Sequence, residues 1–226
     1  ADCRKVNELR PMKYPVTVFL VFLTVSLFSQ TSHISTGSVS PLASYNHVWN
    51  DIKYSRCNTA ANAAYMSYTE KNVIYILNLI RANPALFVKT VLLKYPSASG
   101  NDYLAEDAFY FKSLVNTLEK LEPLNILYPD KNGFESAKCH ASSSGISGYV
   151  GHKRVSRDCE NKKAYSGECC DYGHKDPLDI VLSLLIDEGI PSLGHRNVML
   201  SGYTKVGVSV QPHKKYGTNA VFDFLY

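Results

Sequence analysis

The chain has 226 residues, of which 45% are hydrophobic, 19% charged and 12% aromatic. This composition is typical of a folded protein, because a disordered chain contains fewer apolar and more charged residues. The 24 Lys and Arg residues exceed the 20 Asp and Glu residues, giving a formal net charge of +4. The basic residues form no run longer than a pair, such as Lys162-Lys163 or Lys214-Lys215, which argues against a nucleic-acid partner.

The N-terminal region has the pattern of a secretory signal peptide. Met12 and Lys13 precede an apolar run over residues 16–28, and this run is shorter than the roughly 20 residues that a membrane-spanning helix needs. We predict a signal peptide over residues 12–29, preceded by an upstream extension over residues 1–11; a signal anchor is the alternative. The protein would then be secreted to the extracellular space or the cell envelope, with no stable membrane span after cleavage.

Removal of the signal peptide would change the charge and the cysteine count. Residues 1–29 contain four basic and two acidic residues, so their loss lowers the net charge from +4 to about +2. Five cysteines would remain: Cys57, Cys139, Cys159, Cys169 and Cys170. Most cysteines of an exported protein pair in disulfides, and an odd number leaves one thiol unpaired or bonded to another molecule.

The remainder of the chain is predicted to form one domain. Residues 30–45 are rich in Ser and Thr and predict a flexible leader. Residues 46–226 contain neither a second linker nor an internal repeat. We therefore assign them to a single domain.

Helices are predicted first along the domain. From Glu70 onward, apolar residues recur at positions i, i+3, i+4 and i+7 of a helical face: Val73, Ile76, Leu77 and Ile80. A capping residue marks three further helix starts: Asn83 before Pro84, Asp130, and Asp176 before Pro177. We also predict a helix over Ala105–Leu118, a short helix after Gly194, and a helix end at Gly189.

The period changes at the end of the chain. Residues 206–210 and 220–224 alternate between apolar and small or polar residues, and a polar segment from His213 to Asn219 joins them. This pattern predicts an antiparallel hairpin. Helices followed by strands, without strand–helix–strand alternation, indicate an α+β domain.

Histidines and one glutamate are the candidate functional residues. His140 falls late on the helix that Asp130 begins, and His152, Glu168 and His195 follow glycines in three later segments. Imidazole nitrogens together with a carboxylate suit a divalent metal site or an acid–base site. Spacing alone favours a structural role for each of them, because isolated histidines are more often hydrogen-bonded structural groups.

The order of short motifs resembles the CAP superfamily, which comprises cysteine-rich secretory proteins, antigen 5 and pathogenesis-related 1 proteins and is also known for its SCP-like extracellular domain. The resemblance covers roughly residues 70–226 and is greatest to the bacterial secreted type. It is carried by Ala137-x-x-His140-Ala141, Gly151-His152, Gly167-Glu168, Gly194-His195-Arg196-Asn197, Val206-Gly207-Val208 and Val221-Phe222-Asp223-Phe224.

The resemblance implies an α–β–α sandwich in which an antiparallel sheet lies between helical layers around a central cleft. It implies a cleft lined by His140, His152, Glu168 and His195, in which His140 and His195 bind Zn²⁺ or another divalent cation. His152 stands where the family has an acidic residue. Cys169 stands where the family commonly has Asn after Gly-Glu.

The cysteines lie close in sequence to these cleft residues. On the resemblance, a disulfide such as Cys159–Cys170 or Cys139–Cys169 would brace the loop that carries Glu168. The adjacent Cys169 and Cys170 are not expected to bond each other. The pairing among the five cysteines is otherwise open.

Three functions follow as hypotheses. The first is a secreted protein whose cleft binds a divalent metal and an extracellular ligand, which could be a lipid, a glycan or a protein. The second is a metal-dependent hydrolase in which Glu168 acts as general base and His140 and His195 are ligands, although no H-E-x-x-H or G-x-S-x-G motif is present. The third is a protein-interaction module with a vestigial cleft.

Overall fold

The structure is a computed structural model that describes residues 39–100, 104 and 108–226. The predicted upstream extension, the predicted signal peptide and residues 30–38 of the predicted leader lie outside the described residues. The end of that leader belongs to the fold, because Leu42 is fully buried and the Ser40 amide donates to Asn50 Oδ1 at 2.9 Å. The folded part therefore begins before residue 46. A single buried leucine leaves no periodic pattern from which this could be predicted.

Three of the helices begin where the capping residues predict. The α-helices are α1 Tyr68–Ala82, α2 Pro84–Thr90, α3 Tyr95–Ser99, α4 Phe109–Lys120, α5 Lys131–Ser147, α6 Arg157–Asn161, α7 Pro177–Ile186 and α8 Gly194–Met199. The side chains of Asn83, Asp130 and Asp176 cap α2, α5 and α7, which confirms those three predictions. Helix α7 ends before Gly189. Residues 105–107 of the helix predicted from Ala105 lie outside the described residues.

No helix within the described ranges is by itself long and apolar enough to cross a membrane. In this described part of the chain, α1 and the segment Pro84–Ser99 reach that length and composition together, as a pair bent by 107°.

The strands form one mixed sheet. They are β1 Tyr128–Pro129, β2 Gly167–Tyr172, β3 Lys205–His213 and β4 Gly217–Leu225, in the order β1-β3-β4-β2. The hairpin of β3 and β4 is antiparallel and confirms the sequence prediction, and β2 pairs antiparallel with β4. The expected antiparallel sheet is wrong at one edge, because β1 runs parallel to β3. A strand of two residues is too short to produce the alternation by which strands are predicted.

Helices pack against alternating residues of this sheet. The apolar residues of one set, Val206, Val208, Ala220, Phe222 and Phe224, share the main core with α1 and α7. The opposite set includes Val221, which packs with Ala137 and Ala141 of α5. Successive side chains of a strand point to opposite faces, so α5 covers one face and α1 and α7 cover the other. The molecule is thus a mixed α/β domain with helices on both sides of its sheet.

Two buried arginines hold loops to helices. Arg81 at the end of α1 donates to the backbone oxygens of Asn125, Met199, Ser201 and Tyr203 at 2.8–3.0 Å. Arg196 of α8 donates to the carbonyl oxygens of Leu185, Ile186 and Tyr110 and to Ser113 Oγ. Arg196 thus links α8 to α4 and α7 and is a structural residue.

Close packing between α5 and β3 requires glycine. A Cβ on Gly207 would lie 2.0 Å from Gly133 C and 2.0 Å from Phe134 N, both of them backbone atoms of α5.

We expect Gly207→Ala to lower the free energy of unfolding by at least about 2 kcal/mol, since helix α5 and the sheet must move apart to make room for the added methyl group. Gly202→Ala is the control, because a Cβ there meets nothing within 4 Å. Urea unfolding of both variants checks this, and equal stabilities would contradict the packing.

Candidate metal centre

Helix α5 buries His140 with one ring nitrogen free. The His140 side chain is fully buried, and its Nε2 lies 2.9 Å from the carbonyl oxygen of Gly151. A carbonyl oxygen only accepts, so Nε2 carries the proton and Nδ1 is a lone-pair acceptor. Nδ1 is buried without a hydrogen-bond partner in the protein. Burial, and then the positive charge of Arg154, lower the pKa of His140, which favours the neutral ring that a metal requires.

Strand β2 places two further donors beside His140. Glu168 and Cys170 alternate along β2 with Cys169 between them, so both point to the face that α5 covers. A ring nitrogen of His140, a carboxylate oxygen of Glu168 and Sγ of Cys170 all lie within 4.8 Å of one another. We call these three residues the donor cluster.

His152 lies at the solvent side of the donor cluster. Its Nδ1 donates to Glu168 Oε1 at 2.9 Å and lies 3.8 Å from Cys170 Sγ. Half of the His152 side chain, 54%, is exposed, whereas only 3% of the Glu168 side chain is. The hydrogen bond to Glu168 raises the pKa of His152. His152 is therefore the exposed group next to an otherwise buried cluster.

Arg154 lies against Glu168 beneath this surface. Its Nη1 is 2.5 Å from Glu168 Oε2, and its Nη2 is 3.4 Å from Asp223 Oδ2. None of the three side chains is more than 3% exposed. Asp223 lies beside Glu168 because the register of β2 and β4 pairs these two residues directly. One buried cation thus faces two neighbouring carboxyl groups.

The two carboxyl groups differ in charge. Burial, and then the negative charge of Glu168, raise the pKa of Asp223 to about 8, so it is mostly protonated at neutral pH. Burial is also the largest influence on Glu168 and would raise its pKa. The hydrogen bonds of His152 and Asp223 and the charge of Arg154 outweigh it, so the pKa lies below its usual value. Glu168 is therefore the ionised member of the pair.

His195 is held by a different carboxylate. Its Nδ1 donates to Asp187 Oδ1 at 2.7 Å, and its backbone amide donates to Asp187 Oδ2 at 3.0 Å. Asp187 ends α7 in the left-handed region, with φ of 58°. The centroid of the His195 ring is 6.4 Å from that of His152. The structure thus places His195 next to His152 but not in the donor cluster, and its predicted sharing of a metal with His140 stays a prediction.

The disulfide differs from both expected pairs. Cys139 bonds to Cys159, and Cys57, Cys169 and Cys170 are buried free thiols. The examples Cys159–Cys170 and Cys139–Cys169 are therefore wrong, and so is the expectation that most of the five cysteines pair. Cys169 and Cys170 do not bond each other, as expected, but neither has a disulfide partner elsewhere among the described residues. Cys170 is a member of the donor cluster, whereas Cys169 Sγ lies 3.7 Å from the backbone oxygen of His195. The disulfide still braces a loop of the site, because residues 140–158 include His152 and Arg154.

Three residues of the site were not identified from the sequence. Cys170 could have been, because strand alternation places it on the same face as Glu168. Arg154 and Asp223 had no such signal, since their proximity depends on a loop path and on strand register.

Comparison of the chain with protein-family models, with curated proteins and with solved structures finds no match. The resemblance to the CAP superfamily therefore rests on the sequence motifs alone.

The raised pKa of Asp223 predicts a pH-dependent stability. An unfolded Asp carboxyl has a pKa of about 3.9, whereas that of folded Asp223 is about 8. Between these values the folded protein holds one more proton than the unfolded chain. The contribution of Asp223 to stability is thus complete below pH about 4 and is lost as pH rises toward 8, by at most about 1.4 kcal/mol per pH unit.

We expect the free energy of unfolding of Asp223→Asn to depend less on pH than that of the wild type between pH 5 and about 8. Urea unfolding at several pH values in this range measures it. Glu135→Gln, which changes an exposed carboxylate, is the control and should leave the profile unchanged. Parallel profiles for wild type and Asp223→Asn would show that Asp223 is ionised when folded.

Proposed function

We propose that this protein binds a divalent transition-metal ion, with Zn²⁺ as the first candidate, through His140, Glu168 and Cys170. We further propose that it is a secreted protein of the CAP/SCP type whose metal centre serves the binding of an extracellular ligand. Two observations carry the metal proposal: a ring nitrogen of His140, a carboxylate oxygen of Glu168 and Cys170 Sγ lie within 4.8 Å of one another, and Nδ1 of buried His140 has no hydrogen-bond partner in the protein.

The donor set indicates the class of metal. An imidazole, a thiolate and a carboxylate suit Zn²⁺ and other late first-row ions, whereas Ca²⁺ and Mg²⁺ prefer oxygen ligands alone. Burial raises the pKa of the Cys170 thiol well above its ordinary value, so a metal must displace its proton. When bound, such an ion would supply Lewis acidity. His140 would hold the ion with a ring whose tautomer the Gly151 carbonyl sets.

The surroundings of Glu168 favour binding over hydrolysis. A general base works best when its pKa is near the working pH. Glu168 has instead a pKa below its usual value and is ion-paired with Arg154. These contacts make it a weak base, so we prefer a binding role to the hydrolase hypothesis. A metal-binding centre is also a more specific proposal than an interaction module with a vestigial site.

Two features support the family and the location as proposals. The motifs that resemble the CAP superfamily contribute His140, Glu168 and Asp223 to neighbouring positions of one site. The disulfide Cys139–Cys159 and the apolar run over residues 16–28 suit an exported protein, because disulfides persist mainly in oxidising compartments.

Metal titration tests the proposal. We expect the purified protein to bind Co²⁺ with a thiolate-to-cobalt charge-transfer absorption and to exchange it for Zn²⁺. Cys170→Ala should abolish that absorption and weaken Zn²⁺ binding by on the order of a hundredfold or more, since losing a ligand costs more than losing its support. Cys169→Ala is the matched control, because it removes an adjacent buried thiol that points to the other face.

Variants of the histidines complete the test. His140→Ala should weaken Zn²⁺ binding as strongly as Cys170→Ala, whereas His195→Ala reports whether the residue implied by the resemblance also contributes. Equal Zn²⁺ affinities for wild type, His140→Ala and Cys170→Ala would exclude the donor cluster as the metal centre. Turnover of an ester, peptide or glycan that disappears in Glu168→Gln would instead favour the hydrolase.

A further inference from the structure

The three most buried arginines of the described chain differ in their hydrogen bonds. Arg81 and Arg196 each donate four hydrogen bonds, mostly to carbonyl oxygens. Arg154 is as deeply buried, but its Nε and Nη1 have no hydrogen-bond partner. Its Nη2 makes only long bonds of 3.4 Å to Ser136 Oγ and Asp223 Oδ2. The hydrogen bonds of Arg81 and Arg196 hold separate segments of the chain together. Arg154 lacks such a set of short hydrogen bonds.

The strongest partner of Arg154 is a residue of the donor cluster. Its Nη1 contacts Glu168 Oε2 at 2.5 Å, and this atom pair lacks the alignment of a hydrogen bond. The other oxygen, Glu168 Oε1, accepts from His152 Nδ1. Each oxygen of the carboxylate thus already has one positively charged or hydrogen-bonding neighbour, and a metal that binds Glu168 would lie close to the Arg154 guanidinium.

Electrostatics identifies the contact that a metal would replace. Arg154 supplies the buried positive charge that ionised Glu168 needs. A divalent ion in the donor cluster would supply more charge at nearly the same place and would repel the guanidinium. The guanidinium would keep one partner without Glu168, because its Cζ already lies over the Tyr165 ring, 5.0 Å from the ring centroid. The face of an aromatic ring stabilises a guanidinium.

We propose that Arg154 is a built-in competitor of the metal: it neutralises Glu168 in the metal-free protein and gives up this ion pair when the ion binds, while it keeps its contact with Tyr165. This role rests on the proposed function. Arg154 would set the affinity of the centre, so that only ions held strongly by imidazole and thiolate displace it. It would also keep the buried carboxylate ionised and ready for the ion.

The test compares two neighbouring basic residues. Zn²⁺ affinity is measured by competition with a chromophoric chelator for wild type, Arg154→Gln and Lys153→Gln. Lys153 is exposed and next to Arg154 in sequence, so its replacement removes the same formal charge from the surface. We expect Arg154→Gln to bind Zn²⁺ at least about tenfold more tightly than wild type, because the competing buried charge is gone. Lys153→Gln should change the affinity less than twofold, because exposed charges are screened.

A measurement on the wild-type protein applies even if Arg154→Gln fails to fold. The guanidinium nitrogens of Arg154 are followed by NMR during titration with Zn²⁺. We expect the signals to shift and the rotation about Cζ–Nη to accelerate as the ion pair with Glu168 breaks. Signals that stay unchanged at saturating Zn²⁺ would overturn the role of Arg154.

The outcomes separate the two proposals. Zn²⁺ binding by wild type with equal or weaker binding by Arg154→Gln overturns the competitor role and leaves the metal centre in place. No Zn²⁺ binding by wild type and by Arg154→Gln overturns the proposed function itself. Binding by Arg154→Gln alone shows that Arg154 opposes the ion but overturns the proposal that the wild-type protein binds Zn²⁺.

Discussion

The close contact between helix α5 and the sheet is the constraint on which the site depends. Gly133 and Gly145 lie on the face of α5 that meets β3, and a Cβ on Gly145 would lie 2.1 Å from Pro212 O. Because no side chain separates helix from sheet there, His140, which lies between these glycines in sequence, reaches the donors of β2. A wider separation would leave the His140 ring without Glu168 or Cys170. The short distance between α5 and the sheet therefore accounts for the burial of the donor cluster.

Burial in turn decides the charges. The pKa of Cys170 rises and that of His140 falls, so both are neutral in the metal-free protein. Asp223, beside Glu168, also holds its proton near neutral pH. Glu168 alone stays ionised, because Arg154 and His152 contact its two oxygens. The centre is thus nearly charge-balanced without a metal, because the protein itself provides a cation beside Glu168. The proposed competitor role of Arg154 rests on this balance.

The loop between α5 and β2 connects these effects. The disulfide Cys139–Cys159 ties α6 within this connection to α5, and the segment between these helices contributes the Gly151 carbonyl, His152 and Arg154 to the site. The Gly151 carbonyl sets the tautomer of His140, His152 covers the cluster toward solvent, and Arg154 neutralises Glu168. The segment between α5 and α6 thus carries the groups that surround the donors, whereas α5 and β2 carry the donors themselves.

The sequence by itself determined the local elements. Asn83, Asp130 and Asp176 mark helix starts because capping bonds act over three residues, and the final hairpin follows from alternation of period two. The motif order also singled out His140, His152, Glu168 and His195 as residues of one cleft; in the structure His140 and Glu168 belong to the donor cluster, His152 lies beside them, and His195 does not belong to the cluster. Only the tertiary structure decided that Cys170, Arg154 and Asp223 join them, that Cys139 pairs with Cys159, and that β1 makes the sheet mixed. Those features depend on strand register, loop path and the separation of α5 from the sheet, which are contacts between segments far apart in the chain.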